Sequence, residues 1–318
     1  MEISLESASL LVAIYGIGLI IFSIPYSILA MRFGFRKVGL GALVFLLIGT
    51  LLNSFAEDYL AMLIGRLLES LGFGLFVSLS LSMVALCFPP NGLGLALGIA
   101  GNAPSFGTFL ALTVVRNFVA WGNWKLAWML GAVFAFLSFI FWMAIRDPPI
   151  LRSKISSAST YGTLPGQEES LNTFVAFKNR DHWLLCIALL LGFFFPNSTF
   201  TSLATSYFNI LLGIDISAAS LYASLPTLVG IPMGVIGGII SDKIRSRKKS
   251  YMLGFLASAV VNAAFTTATG PQVWLIPVLS TLLGVCMGFI VPATQASAKE
   301  LLGPLAGVGI SMQMTFWG

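Results

Sequence analysis

Gly234-Val-Ile-Gly-Gly-Ile-Ile-Ser-Asp242-Lys-Ile-Arg-Ser-Arg-Lys-Lys249 is an apolar helix end that breaks within a few residues into one acid and five bases. A window this apolar is at home in lipid and a cluster this cationic is excluded from it, so a membrane surface falls between Ile240 and Lys243. A sparser edition stands near the start of the chain, Ser27-Ile-Leu-Ala-Met31-Arg-Phe-Gly34-Phe-Arg36-Lys37, again an apolar helix ending in a basic turn. The chain is a doubled object, and doubling in a membrane protein points to transport.

The rest of the chain has the composition this requires. Hydrophobic residues fill 57% of 318 positions and charged ones 9%, and the mean hydropathy is +0.94, which describes an all-α polytopic membrane protein and not a soluble domain. No alternation of polarity suggests a β-barrel. Apolar runs long enough to cross a bilayer fall at 8–30, 38–56, 60–86, 92–115, 125–145, 183–209, 217–241, 250–269, 272–293 and 303–318, which makes ten spans. The longest polar interval, 147–182, is rich in Pro, Gly and Ser and reads as a linker between an N-terminal bundle, 1–146, and a C-terminal bundle, 183–318. Five spans precede it and five follow, so two bundles of six would each be completed by one further helix, before residue 1 and after residue 318.

Sorting the seventeen bases tests this threading. Loops on one face carry fourteen of them, the other face carries Arg116 and Lys125, and Arg66 lies inside a span. The positive-inside rule then places the basic face, linker included, in the cytoplasm of a protein resident in the cell membrane.

With the motifs in place, the chain resembles the major facilitator superfamily of secondary transporters, whose basic loop reads roughly Gly-x-Leu-Ala-Asp-Arg-x-Gly-Arg-Arg. Gly238, Ser241, Asp242, Lys243, Arg247 and Lys248 match it, with Arg245 at the usual glycine. The earlier copy keeps Leu29, Ala30, Arg32, Gly34 and Arg36 but has Ser27 for glycine and Met31 for the acid. Arg66-Leu-Leu-Glu69-Ser-Leu-Gly72-Phe-Gly74 is similar to a further family pattern, Arg-x-x-Gln-Gly-x-Gly-x-Gly, and Phe88-Pro89-Pro90 before Gly94-Leu-Ala96-Leu-Gly98 resembles the turn into the family's fifth helix. The resemblance implies two pseudo-repeated bundles and alternating access.

Two groups of residues carry the functional reading. At the basic face, Asp242 either balances its neighbouring bases or reaches the unsatisfied amides at the start of the 92–115 helix and closes a gate with Arg247, as the resemblance implies. Arg32 and Arg36 are the gate residues of the earlier copy, where Met31 offers no such contact, so the gate is expected to be asymmetric. Glycine ladders at Gly230, Gly234 and Gly238 and at Gly94 and Gly98 keep one face of each helix bare for close approach. Within the bilayer, Arg66 and Glu69 are one turn apart at roughly 9 and 14 Å from the outer surface, given about 1.5 Å of rise per residue. They form either a structural ion pair or an anion and proton site in a central cavity, with Asn102, Asn197 and Thr201 lining the pathway beside Pro104 and Pro196.

Other chemistry finds no foothold. His182 reads as an interfacial anchor, Thr294 and Gln295 as interfacial, and Cys87, Cys186 and Cys286 as buried packing residues without metal or disulfide spacing. No Gly-x-x-x-x-Gly-Lys loop exists for ATP, so no cofactor is implied, and the basic residues need no nucleic acid to explain them. The expected activity is secondary transport of a small solute, driven by protons or another ion, and Arg66 with the Phe-Pro-Pro turn favours a small organic anion over a drug or metabolite. The rival is a non-transporting relative acting as a membrane sensor or scaffold.

Overall fold

The structure, a computed structural model, describes residues 5–89, 92–111, 114, 118, 123–147, 174–194, 200, 203–244, 246–267 and 273–316. The linker between 148 and 173, together with Asn197, Thr201, Arg116 and Arg245, lies outside the described residues. In chain order the helices are α1 (Leu5–Phe33), α2 (Phe35–Phe55), α3 (Tyr59–Cys87), α4 (Leu93–Ala100), α5 (Ala103–Leu110), α6 (Lys125–Ala144), α7 (Phe174–Lys178), α8 (Arg180–Leu189), α9 (Ile216–Ile244), α10 (Arg247–Phe265), α11 (Leu275–Leu302) and α12 (Ala306–Thr315). Short π-helical turns at Leu190–Phe194 and Tyr207–Leu211 flank the described end of the 183–209 run.

Each of the ten expected runs is helical where it is described. Among the described residues seven stretches are long and apolar enough to cross a membrane. The run 250–269 falls short because α10 opens on Arg247-Lys248-Lys249, and part of the run 183–209 lies outside the described residues. The last two runs join into one stretch, Leu275–Thr315, which at about 1.5 Å per residue is roughly twice as long as a bilayer core is thick. It is divided at Gly303, whose φ of 52° is left-handed and which Pro304 follows, the usual way a helix is stopped. The expected boundary at 293 was too early, because the polar segment Thr294–Ser297 is buried and continues the helix.

The helices pack as two units that cut across the sequence halves. One comprises Met1–Cys87, Phe118–Arg180 and Leu302–Gly318. In it α2 lies between α3 and α6, and α1 packs on α3 and α12. The turn between α1 and α2 is the single residue Gly34, at φ 95°. Asp147, just beyond α6, accepts the Arg36 backbone N–H at 2.8 Å, while the Arg36 guanidinium donates to the Met143 carbonyl at 2.7 Å. A carboxylate thus meets the amide end of α2, and a cation meets the carbonyl end of α6.

The other unit comprises Phe88–Asn117 and Asp181–Leu301. Its core joins Ala204, Phe208, Ala219, Val261, Phe265, Ile276 and Leu283, with the rings of Phe200 and Phe265 4.9 Å apart. The two glycine ladders meet here. A Cβ at Gly98 would land on the Gly234 carbonyl oxygen, and one at Gly94 would lie 2.7 Å from the Gly238 oxygen. In lipid, where apolar burial does not drive association, such backbone contact is what holds α4 to α9.

Three expectations about side chains are corrected. His182 is fully buried, as are Thr294 and Gln295, because their helices pack into this unit, so these side chains meet protein and not lipid headgroups or water. Cys186 and Cys286 are buried, but Cys87 is exposed where α3 ends. Gly98→Val is expected to lower the melting temperature of the detergent-solubilised protein by several degrees. Gly107→Ala, where nothing lies within 4 Å of the new methyl, leaves it equal or higher, since Ala favours helix by about 0.5–1 kcal/mol. Thermal unfolding followed by circular dichroism compares the two.

Candidate functional site

The first site is built on α3. Glu69 is 3% exposed because its turn lies against Gly49 of α2, where a Cβ would come within 2.6 Å of the Glu69 amide nitrogen. Arg66 Nη1 stands 3.3 Å from Glu69 Oε2, and the Arg66 side chain is 25% exposed. The guanidinium also lies over the Trp128 ring of α6, 4.4 Å from its centroid. Placing an ionised group at this depth costs about 2.5–3.5 kcal/mol. The cation is supported both by the carboxylate one turn away and by the face of an aromatic ring. Sequence reading missed Trp128 because it comes from a different helix.

Glu69 has unused capacity. Its Oε1 is buried and makes no hydrogen bond, and the same holds for both amide atoms of Asn53. Asn53 is fully buried on α2 beside the Glu69 carboxylate, its side chain seated against Gly65. The Asn53 NH2 is placed to donate to the ionised carboxylate, and with its amide turned over the Asn53 oxygen could accept from a protonated one. Ionised, the carboxylate keeps its partner in Arg66.

The second site is at the basic end of α9. Asp242 accepts the backbone N–H groups of Gly94 and Leu95 at 3.1 Å each and pairs with Arg247 Nη1 at 2.6 Å. Arg247, only 8% exposed, also donates from Nε to Glu300 at 2.9 Å and from Nη1 to Ser241 at 3.1 Å. The carboxylate thus answers the amides that begin α4, where the dipole favours an anion. This works only because the glycine contact brings α4 so close. Lys299 donates to the Phe88 carbonyl ahead of α4.

The remaining expected residues are not gathered into either site. Arg32 is exposed and rides on the Phe33 ring at 5.6 Å, and Arg36 is tied to Asp147 and Met143. Asn102 donates to the carbonyls of Gly98 and Ile231, so its amide secures the break between α4 and α5 to α9. Asn197 and Thr201 lie outside the described residues. Glu300, which completes the Arg247 network, gave no signal in sequence because its partner is 53 positions away.

The Major Facilitator Superfamily model matches residues 1–318. The chain belongs to the major facilitator superfamily. It is an integral, multi-pass membrane protein with that family's all-α fold. The uncharacterized transporter YybO of Bacillus subtilis is 24% identical over 246 residues, covering 72% of this chain and 55% of YybO. The probable galactarate/D-glucarate transporter GarP of Escherichia coli K12 is 26% identical over 343 residues, covering 97% of this chain and 76% of GarP. This member of the superfamily therefore spans about half the length of YybO and three quarters of GarP. Among solved structures, the proton:xylose symporter XylE bound to 6-bromo-6-deoxy-D-glucose superposes with a TM-score of 0.77 at 18% identity, covering 99% of this chain and 78% of XylE.

Losing the Asp242 charge removes about 1–2 kcal/mol of amide and ion-pair stabilisation, a factor of roughly 5–30 in an equilibrium. Asp242→Asn is expected to raise by that factor the labelling rate of a cysteine placed at Leu97, which is fully buried on α4, by a membrane-impermeant maleimide. An unchanged rate would show that the contact does not hold the two helices together.

Proposed function

We propose that the protein is a secondary active transporter that moves a small organic anion across the cell membrane by alternating access, coupled to a proton or other ion gradient. The observation that carries this reading is the Arg66 cation, held over Trp128 and one-quarter exposed, beside a buried carboxylate with one oxygen unused. An incoming anion can replace Glu69 as the partner of Arg66 once Glu69 takes a proton, and the Trp128 ring keeps the guanidinium in place during the exchange. Proton and anion then bind as a neutral pair, which lowers the cost of carrying either through hydrocarbon. The name of GarP supports the substrate class, since it carries two sugar-acid anions.

Asp242 and Arg247 serve as the gate at the face we assign to the cytoplasm, together with the 147–182 linker. The gate is asymmetric. Asp242, from the second half of the sequence, grips α4, from the first half. The basic turn of the first half is instead stapled to Asp147 of its own half. In this reading the basic end is closed while Asp242 holds these helices together, and the solute then enters from the opposite face.

Reconstituted into proteoliposomes, the protein is expected to take up radiolabelled mono- and dicarboxylates faster when the outside is acid. Arg66→Gln lowers uptake at least tenfold, and Arg66→Lys restores only part of it, because an ammonium cannot offer the planar fork. Glu69→Gln keeps exchange of labelled for unlabelled anion but loses the response to the pH gradient. Transport of neutral sugars that is indifferent to Arg66→Gln would overturn the anion reading.

A further inference from the structure

Among the described residues, the gate around Asp242 has no charged counterpart of the same kind where the last helix meets the first half of the sequence. α12, from the second half, packs against α1 and α3, from the first. In the earlier basic turn the position equivalent to Asp242 is Met31, and the N-cap of α12 is Leu305, which makes no side-chain hydrogen bond. Yet this contact is polar. Ser78 and Ser311 share a hydrogen bond between their hydroxyls. The Ser311 hydroxyl donates to the Gly307 carbonyl at 3.0 Å, and the Ser82 hydroxyl reaches the same carbonyl at 3.1 Å. Ser78, Ser82 and Ser311 are each no more than 1% exposed.

Ser78 donates to Ser311 and Ser311 to Gly307, while the single Ser82 proton has its nearer acceptor in the Ser78 carbonyl of its own helix at 2.7 Å, so the bond that crosses between the helices is Ser78–Ser311. Neutral donors suit a contact that must break repeatedly, because an interhelical hydroxyl bond inside a bilayer is worth little, so parting it costs little. A buried ion pair there would leave two uncompensated charges whenever it opened. Gly307 packs directly on Ser82, whose Cβ lies 3.4 Å from where a Gly307 Cβ would stand, an ordinary contact distance.

From this arrangement we infer that Ser78 and Ser311, with Ser82 packed beside them, form a neutral hydroxyl latch between α3 and α12, the counterpart of the charged Asp242 gate, and that parting it is a step of the transport cycle. The inference rests on the alternating-access reading above. Its test needs no knowledge of the solute. With Cys87, Cys186 and Cys286 replaced by serine and Val308, fully buried on α12, replaced by cysteine, labelling by an impermeant maleimide reports separation of α12 from its neighbours.

Ser78→Ala and Ser311→Ala are each expected to raise the labelling rate two- to threefold, the size of one interhelical hydrogen bond in a membrane. The double variant rises no further than either single one, since both remove the same bond. Ser80→Ala, whose hydroxyl bonds only the Phe76 carbonyl of its own helix at 2.6 Å, serves as control and leaves the rate unchanged. If Ser78→Ala behaves like Ser80→Ala while the bulkier Ser78→Leu still raises labelling, the contact opens but the hydroxyls do not hold it, and the latch is overturned. If Ser78→Leu is silent as well, the contact never opens, and the alternating-access reading falls with it.

Discussion

Charge is costly in hydrocarbon, about 2.5–3.5 kcal/mol for each ionised side chain at depth, and the polar features of this protein follow from where that cost is accepted. In sequence, all but three of the seventeen bases stand near the ends of apolar runs assigned to one face, and Arg66 lies within a run. Among that arginine's supports are the Glu69 carboxylate and the Trp128 ring. The ring needs no charge of its own, so it holds the cation whatever the protonation of its neighbour.

The same economy shapes the contacts between the sequence halves. Where α4 meets α9 the backbones touch through glycines, and the amides that begin α4 would be left without partners at a crowded helix end. Asp242 supplies the acceptor, and Arg247 and Glu300 then settle the charge of Asp242. Glycine spacing, helix dipole and ion pair form one structure in which each part requires the others. Where α3 meets α12 hydroxyls take the place of the acid. Both pairs join helices from different halves, so the units of packing do not coincide with the repeats of sequence.

Some of this was legible in one dimension. Membrane spans depend on composition over about twenty residues, and orientation depends on which loops hold the bases; both are sums over neighbouring positions. The reach of Asp242 toward the 92–115 helix could also be anticipated, since an acid and a proline-led helix start share one face. The buried states of His182 and Gln295 could not, because whether a polar residue near a helix end meets water or protein depends on what packs above it.

The sequence by itself determined that the protein is a doubled, multi-pass helical membrane protein, because lipid filters residues by local hydropathy and charge. Only the tertiary structure decided that Trp128 holds Arg66, that Asn53 stands beside Glu69, that Glu300 completes Arg247 and that Ser78 meets Ser311. Those pairings join helices far apart in the chain. Their strength depends on a few ångströms of approach, which glycine faces permit and no short-range pattern encodes.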